Sequence, residues 1–308
     1  MRLLTFTSVL LIFTAATMGI LVALEHWFPK ATVFGKVAIV VLATAIIGLT
    51  AFCVWQEYRY ARKARYAEAL PYINQIFFEL NKFDNIDNIT QSEPLEYTLK
   101  GVVNRFAAAI SLVTGTMCSV CIKVVTEDDH ADPPRPKVLT VVRDDMSFSR
   151  ERGKALAEES IEDSDESSID HWVDQNTAFM QVFMQPRSPR ACYFSNYLPG
   201  EKNYLNTSFQ IHGAPPESER AIIRDLNWPL PYKSTIVCPI ARQGILRRDY
   251  RLAGYFAVDS RSRYVFDRRY DIDLVTGVAD CLYSLLYRYA VLVGRLAPGE
   301  NYEEGENE

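Results

Sequence analysis

Two cysteines with the spacing of a metal or redox site occur near the middle of the chain, at Cys118 and Cys121. A Cys-x-x-Cys pair can bind zinc or exchange disulfides. The pair lies in Met117–Thr126, where the abundance of Val, Ile and Cys predicts a β-strand. Residues three apart on a strand point to opposite faces, so the two thiols cannot readily share a metal ion. We expect two core cysteines, with a metal or redox role as the alternative.

The sequence lacks the signatures of common enzyme classes. It has no G-x-S-x-G, no phosphate-binding glycine loop, no H-E-x-x-H and no dinucleotide-binding glycine fingerprint. Outside the first sixty residues, its histidines (His130, His171 and His212) lie in or beside polar segments and are expected to be solvated. The acidic run Asp163–Asp170 lacks the glycine and glutamate of a calcium loop. We therefore expect no catalytic residue, no metal and no enzymatic activity, and no cofactor can be identified.

Basic side chains concentrate in two places where phosphate or carboxylate groups could bind, because guanidinium forks match such groups. One cluster follows an apolar run and could contact anionic lipid or simply set membrane topology. The other lies in a predicted hairpin loop, where it could meet a nucleotide, an acidic partner segment or lipid, or remain solvated. The candidate anion- or lipid-binding residues are Arg59, Arg62, Lys63, Arg65, Arg247, Arg248 and Arg251.

The overall charge argues against nucleic acid as a main partner. The formal net charge is −5, whereas a nucleic-acid-binding protein needs a basic surface. Acidic residues concentrate in residues 127–132, 158–170 and 300–308. The tail, residues 297–308, is rich in Gly, Asn and Glu and is expected to be disordered, since it is too polar to bury a core.

Two apolar runs without charged residues occupy most of the first 56 residues, at residues 3–24 and 37–55. About 20 helical residues cross the ~30 Å hydrocarbon core of a membrane. In lipid the backbone must satisfy its own hydrogen bonds, which favours helices. The first run is longer than the ~7–15 apolar residues of a signal peptide. The sequence therefore predicts a hairpin of two transmembrane helices.

The distribution of basic residues predicts the orientation of this hairpin. More Lys and Arg residues follow the second run than occupy the turn between the runs, and basic flanks stay in the cytoplasm. Both termini are therefore expected to be cytoplasmic, in a multi-pass protein of the inner or plasma membrane. The six cysteines are scattered along the chain and are expected to remain reduced thiols there.

The remaining chain is predicted to hold a juxtamembrane helix and one domain. The helix covers residues 57–82, and Pro71 indicates a kink or the start of a second helix. Residues 83–296 alternate between helical and strand-like apolar spacing, which favours an α+β domain, with an antiparallel sheet flanked by helices. The predicted helices are Pro94–Gly115, Ile169–Met184 and Tyr270–Leu296, and the predicted strands are Met117–Thr126, Val138–Arg143, Cys192–Asn196, Thr235–Ala241 and Leu252–Asp259.

Several of these segments resemble the GAF-domain family. Tyr232–Ile240 (YKSTIVCPI) resembles the GAF strand that ends in a Pro-hydrophobic pair, and Leu252–Ser260 (LAGYFAVDS) resembles the strand after it. Asp273–Leu286 resembles the closing helix, and Asn176–Phe179 resembles the middle helix. The resemblance extends from about Ala67 to Arg288. It implies a sheet packed on the terminal helices by one face, with loops and short helices roofing a small-molecule pocket on the other.

The resemblance suggests where a ligand would bind. The dispersed signature of cyclic-nucleotide-binding GAF domains cannot be traced in this sequence, and no Cys-His pair for a bilin is present. Aromatic walls with a few polar groups are typical of ligand sites, although an ordinary core is the alternative. The candidate pocket residues are Trp172, Phe179, Phe183, Tyr193, Asn196 and Tyr197.

The favoured hypothesis is a membrane-anchored, non-enzymatic GAF-like sensor or regulator. It would bind a small molecule or a signalling partner and transmit the signal to its membrane helices or to an associated protein. We expect a homodimer formed through the terminal helices, next to the lipid bilayer. The alternatives are an effector that permeabilises the membrane when its ligand binds, and a scaffold without a ligand.

Overall fold

The computed structural model describes residues 19, 22, 33–84, 91–128, 135–145, 171–185, 191–217, 220–242 and 251–294. The chain divides into two compact units, Met1–Glu68 and Ala69–Glu308. The first expected span (residues 3–24, apart from Gly19 and Val22), the loop with Arg247 and Arg248, and the tail 297–308 lie outside the described residues.

A single long helix, α1 (Val33–Asp84), contains the second apolar run. Within it, Val40–Lys82 is long and apolar enough to cross a membrane. Val41, Leu42 and Leu49 are each more than 60% exposed, as expected for side chains that have lipid as their solvent. Among the described residues, the structure thus supports one candidate span, and the first run of the expected hairpin lies almost wholly outside them. The helix also continues through Pro71, so the expectation of a second helix starting there is wrong.

The second unit is an α+β domain, as its sequence pattern predicts. Helix α2 (Glu93–Thr114) leads into a six-stranded sheet in the order β3-β2-β1-β6-β5-β4, in which every pair of neighbours is antiparallel. The strands are β1 (Cys118–Asp128), β2 (Arg135–Arg143), β3 (His171–Trp172), β4 (Tyr193–Ser195), β5 (Ser234–Arg242) and β6 (Arg251–Ser260). Between them lie helices α3 (Thr177–Met184), α4 (Phe209–His212) and α5 (Ala221–Leu226), and α6 (Tyr270–Cys281) and α7 (Tyr283–Leu292) close the domain.

Helices α2, α6 and α7 pack on one face of the sheet. Side chains of β1, β5 and β6 alternate between the two faces, and those on the helix side form an apolar core. Ile122, Ile236 and Phe256 are fully buried there, and the Phe106 and Phe256 ring centres lie 5.0 Å apart. Gly115 ends α2 in the left-handed conformation (φ 70°), where its N–H donates to the Ser111 carbonyl. This face matches the helix-packed face expected from the sequence.

Two predicted helices have different boundaries in the structure. Ile169–Met184 was expected to be one helix, but it contains β3, a 3₁₀ turn at Val173–Gln175 and only then α3. The Asn176 side-chain amide donates to the Trp172 carbonyl at 2.9 Å, and such local side-chain bonds compete with helix formation. The expected closing helix is divided at Leu282, whose N–H is shared between the Val278 and Ala279 carbonyls.

The cysteines depart from expectation at one pair. Cys192 and Cys238 form a disulfide, which corrects the expectation that all six thiols stay reduced. They are brought together because their strands are neighbours in the sheet, which spacing along the chain does not reveal. Cys118 and Cys121 are both free and buried, on opposite faces of β1. Cys118 lies 3.4 Å from the Thr114 hydroxyl of α2, and Cys121 lines a cavity on the other side of the sheet.

Candidate functional site

A cavity of about 120 Å³ lies on the sheet face opposite α2, α6 and α7. Its floor consists of alternate residues on adjacent strands, which share a face because successive strand side chains point in opposite directions. Its roof comes from the edge strand β3 and the residues after it, between residues 171 and 179, and from residues between 204 and 232. The floor residues are Ser119, Cys121, Lys123, Arg143, Thr235, Val237, Ala257 and Asp259.

Strand register determines which floor groups are neighbours. Ser119 of β1 and Thr235 of β5 both lie opposite Asp259 of β6, so the carboxyl has a hydroxyl residue on either side. In the next row of the sheet, Arg143 of β2 lies opposite Cys121. The floor therefore places a carboxyl group and a guanidinium group over the same patch of sheet.

Burial and two nearby cations, Lys123 and Arg143, set the electrostatics of the floor. Burial raises the pKa of Asp259 to about 6, although a hydrogen bond from Thr235 and the charges of Arg143 and Lys123 oppose that rise. Lys123 is only 7% exposed, and its ammonium donates to the Thr140 hydroxyl at 2.7 Å. The same ammonium lies 5.8 Å from the centre of the Phe179 ring. A ligand in this cavity would meet opposite charges on one surface.

Burial also raises the pKa of the Cys121 thiol, more than the charges of Lys123 and Arg143 lower it. The thiol is therefore protonated at neutral pH, and the thiol is a much weaker nucleophile than the thiolate. Among the residues that the structure describes, no cluster of three or more His, Cys, Asp or Glu side chains could hold a metal ion.

Hydrogen bonds in a buried polar network attach the roof at Thr207 to the start of α3. The Asn176 amide nitrogen donates to the Thr207 hydroxyl at 3.1 Å, and the Thr207 N–H donates to the Asn176 amide oxygen at 3.2 Å. The His171 Nδ1 atom is also hydrogen-bonded to the Thr207 hydroxyl. Thr207 is only 3% exposed, so these bonds satisfy polar groups that water does not reach.

Another part of the roof is aromatic. The Tyr204, Phe209 and Trp228 rings pack with centre-to-centre distances of 5.7–6.2 Å. The Asn206 amide donates to the Tyr232 hydroxyl at 2.8 Å, and the Trp228 indole N–H donates to the Tyr232 carbonyl at 2.8 Å. Burial raises the pKa of both Tyr204 and Tyr232, so their hydroxyl groups are neutral at physiological pH.

Of the six candidate pocket residues, Phe179 lines this cavity. Its ring stacks on Tyr255 with 4.8 Å between centres, which places it beside the floor. Trp172 is half-buried, with the Arg135 guanidinium 4.7 Å from its ring centre, and Phe183 is 39% exposed on α3. These last two residues do not line the cavity.

The other three candidates support the structure next to the cavity. Tyr193 is buried in the core beneath the roof, where its hydroxyl donates to the Glu201 carboxylate. The Asn196 side chain exchanges two hydrogen bonds with the Phe266 backbone, at 2.7 and 2.9 Å. Tyr197 stacks on Tyr264 at 5.4 Å. None of the three lines the cavity.

The floor charges were missed by the sequence analysis. Lys123 interrupts the apolar run Val120–Val125 of β1, and Asp259 follows a run of apolar residues in β6. A charged residue inside an apolar strand is the signal that could have identified them, since buried charge requires a partner.

The candidate anion- or lipid-binding residues are described only in part. Lys63 is exposed, with its ammonium 5.8 Å from the Tyr60 ring centre, and Arg62 and Arg65 are half-buried on α1. For Arg59 only the helical backbone is described. Arg251 is exposed at the start of β6, opposite Arg242.

Comparisons with known proteins give structural likenesses only. No family model and no curated protein matches the chain. The GAF domain of an Acinetobacter phosphoenolpyruvate-protein phosphotransferase is 12% identical over 74% of this chain and 98% of its own, with a TM-score of 0.41. That of a Coxiella burnetii phosphoenolpyruvate-protein phosphotransferase is 14% identical over 75% and 99%, with a TM-score of 0.43. At these scores the likenesses carry no argument about family or function.

The comparisons also correct one expectation. Free methionine-R-sulfoxide reductase from Neisseria meningitidis, solved with its substrate, is 12% identical over 73% of this chain and 93% of its own, with a TM-score of 0.38. Similar solved structures thus include enzymes, so the expectation that this chain is not an enzyme is not supported.

Proposed function

We propose that the second unit is a GAF-like sensory module that binds a small polar molecule in the cavity. The observation that carries the proposal is the juxtaposition of Asp259 with Lys123 and Arg143 on one sheet face beneath a roof. Structural cores seldom place one buried and two half-buried ionisable groups around an open space, because each loses hydration there. A ligand with complementary polar groups would replace that hydration.

The floor indicates the chemistry of such a ligand. Lys123 and Arg143 favour an anionic or strongly accepting group, because both side chains are hydrogen-bond donors. Asp259 favours an N–H or O–H donor when it is ionised. Phe179 and Tyr204 supply flat apolar walls around these groups. The ligand expected from these contacts carries an acceptor at one end and a donor at the other.

We further propose that the module acts next to a membrane, with α1 as its anchor. The part of α1 in the second unit buries Ile73, Ile76 and Leu80, so this end of the helix belongs to the core of the module. The apolar part of the same helix has the length and composition of a membrane span. A conformational change in the module would then be transmitted along α1 to its apolar part in the membrane or to an associated protein.

Native mass spectrometry of the full chain, purified in detergent, tests the ligand-binding proposal. We expect a co-purifying small molecule that is lost from both the Asp259→Asn and the Lys123→Met variants. Glu96→Gln, on the exposed surface of α2, is the matched control and should retain it. A wild-type protein without any bound species, or equal retention in all variants, would contradict the proposal.

A further inference from the structure

The disulfide joins Cys192, the residue before the edge strand β4, to Cys238 of the neighbouring strand β5. Tyr193 of β4 lies opposite Val237 of β5, which places Cys192 beside Cys238. Strand β4 has three residues and lies at the end of the sheet. Three residues of pairing hold a strand weakly, so a covalent bond at this position adds to the burial of Tyr193 and the hydrogen bonds of Asn196 that hold β4 in place.

The chain between the two cysteines contains one side of the cavity. The cavity-lining residues Tyr204, Asn206 and Tyr232 all lie in the interval between the two cysteines, which are 46 positions apart in the sequence. The base of this interval is also held by the Leu198 N–H, which donates to the Lys233 carbonyl at 2.8 Å. Opening the disulfide would return conformational entropy to the whole interval, because a closed loop restricts the states of an unfolded segment.

The two sulfur atoms have different environments. Cys238 is fully buried, whereas Cys192 is half-buried. The Thr276 hydroxyl of α6 lies 3.3 Å from the Cys192 sulfur and 3.6 Å from the Cys238 sulfur. A reductant therefore reaches Cys192 more readily, and a hydroxyl donor stands beside the sulfur that would leave.

We propose that Cys192 and Cys238 form a reversible thiol–disulfide site that controls the order of the roof segment between β4 and β5, of which residues 196–217 and 220–233 are described. The reductant is a dithiol. Its thiolate attacks the Cys192 sulfur, the disulfide breaks, and the electron pair passes to the Cys238 sulfur, which then takes up a proton. The second thiol of the reductant attacks the mixed disulfide and releases Cys192, so two protein thiols form and the dithiol becomes a disulfide. The proposal does not require the cavity to hold a ligand.

The expected result is a local change on reduction. In the full chain purified in detergent without reductant, alkylation after denaturation should leave Cys192 and Cys238 unmodified, and dithiothreitol should make both reactive. Hydrogen exchange of peptides within 204–232 should become at least threefold faster after reduction. Peptides covering Ile122 and Phe256 should be unchanged, because they lie in the core on the other face.

Variants separate this effect from general loss of stability. The double variant Cys192→Ser/Cys238→Ser should show the fast exchange of the reduced protein and no response to dithiothreitol. Cys281→Ser removes an exposed cysteine that takes no part in the disulfide and should behave as the wild type does. The proposal is overturned if both cysteines react before reduction, if reduction leaves exchange in 204–232 unchanged, or if the core peptides accelerate equally. Thiol reactivity and hydrogen exchange are read on the protein itself, with no ligand added, so failure of this proposal is distinguishable from failure to find a bound species by native mass spectrometry.

Discussion

At the scale of single residues, Asp259 links the chemistry of the cavity to stability. Its pKa of about 6 lies above the ordinary 3.8, so the folded protein binds a proton more tightly than the unfolded chain does. Stability should therefore fall as the pH rises from about 4 to about 6, and the cost should remain at neutral pH. A carboxyl group that costs stability where it stands is typical of a binding residue.

Replacing this carboxyl group should stabilise the protein. Asp259→Asn removes the cost of ionising a buried group, so the free energy of unfolding at pH 7 should rise by roughly 1–3 kcal/mol. The gain should shrink towards pH 4, where the wild-type carboxyl is already protonated in the folded state. Denaturant unfolding between pH 4 and 8 measures this dependence. Glu96→Gln should leave the profile unchanged, and a destabilised Asp259→Asn variant would contradict the assignment.

Gly254 illustrates how closely two strands approach. A Cβ atom at this position would lie 1.9 Å from the Lys123 carbonyl oxygen and 3.0 Å from a Leu286 methyl group. Gly254→Ala should therefore lower the free energy of unfolding by about 2 kcal/mol or more, because backbone must move. Gly277→Ala is the matched control. Nothing lies within 4 Å of its added methyl group, and alanine favours a helix interior. Denaturant unfolding of both variants checks the contrast.

At the scale of elements, α2 positions the strand that carries Arg143. The Lys100 ammonium donates to the Arg143 carbonyl and pairs with the Asp145 carboxylate at 2.8 Å. The Asn104 side chain makes two hydrogen bonds to Asp145. Its amide nitrogen donates to the Asp145 carboxylate, and its amide oxygen accepts from the Asp145 N–H. These contacts fix the end of β2 that carries Arg143, which is one of the floor residues of the cavity.

Loss of the Asn104 contacts with the end of β2 should lower ligand retention while it changes the stability of the core only slightly. Asn104→Ala removes two hydrogen bonds at an exposed site, so we expect a stability loss of about 1 kcal/mol. The Arg143 end of β2 should loosen, which lowers the bound fraction seen by native mass spectrometry. Asn227→Ala is the control, since Asn227 is also exposed and its side-chain amide donates to the Ile223 carbonyl of its own turn at 3.1 Å. Equal retention in Asn104→Ala would show that β2 needs no such support.

The elements were more predictable than the site. Apolar periodicity identified α2, the long strands β1, β5 and β6 and the helix-covered face, because each depends on residues close in sequence. The short elements around α3 depend on the Asn176 side chain and its bonds to Trp172 and Thr207, which sequence spacing does not encode. The cavity floor depends on register: Ser119, Thr235 and Asp259 meet only because three strands pair in one alignment.

At the scale of the whole molecule, the helix that contains Val40–Lys82 should hold the protein at a membrane. In a chain shortened to residues 33–308, we expect the protein to stay in the membrane fraction after a carbonate wash. Leu49→Arg should release most of it, because arginine near the centre of a span costs about 2.5–3.5 kcal/mol. Leu49→Ile, which preserves apolarity, should not. A shortened wild-type chain in the soluble fraction would show that this helix does not suffice as an anchor.

The roof segment departs from β4 and returns at β5, two strands that are already paired and whose junction is closed by the Leu198–Lys233 backbone bond. A connecting segment of this kind can be replaced by another of similar span without altering the order of the strands beneath it. Under the proposed function, recognition and scaffold are thus separable: the sheet supplies fixed charges, and the segment between β4 and β5 supplies part of the shape that selects among molecules able to meet them. Grafting a different connecting segment between these two strands would be a direct route to altered ligand selectivity.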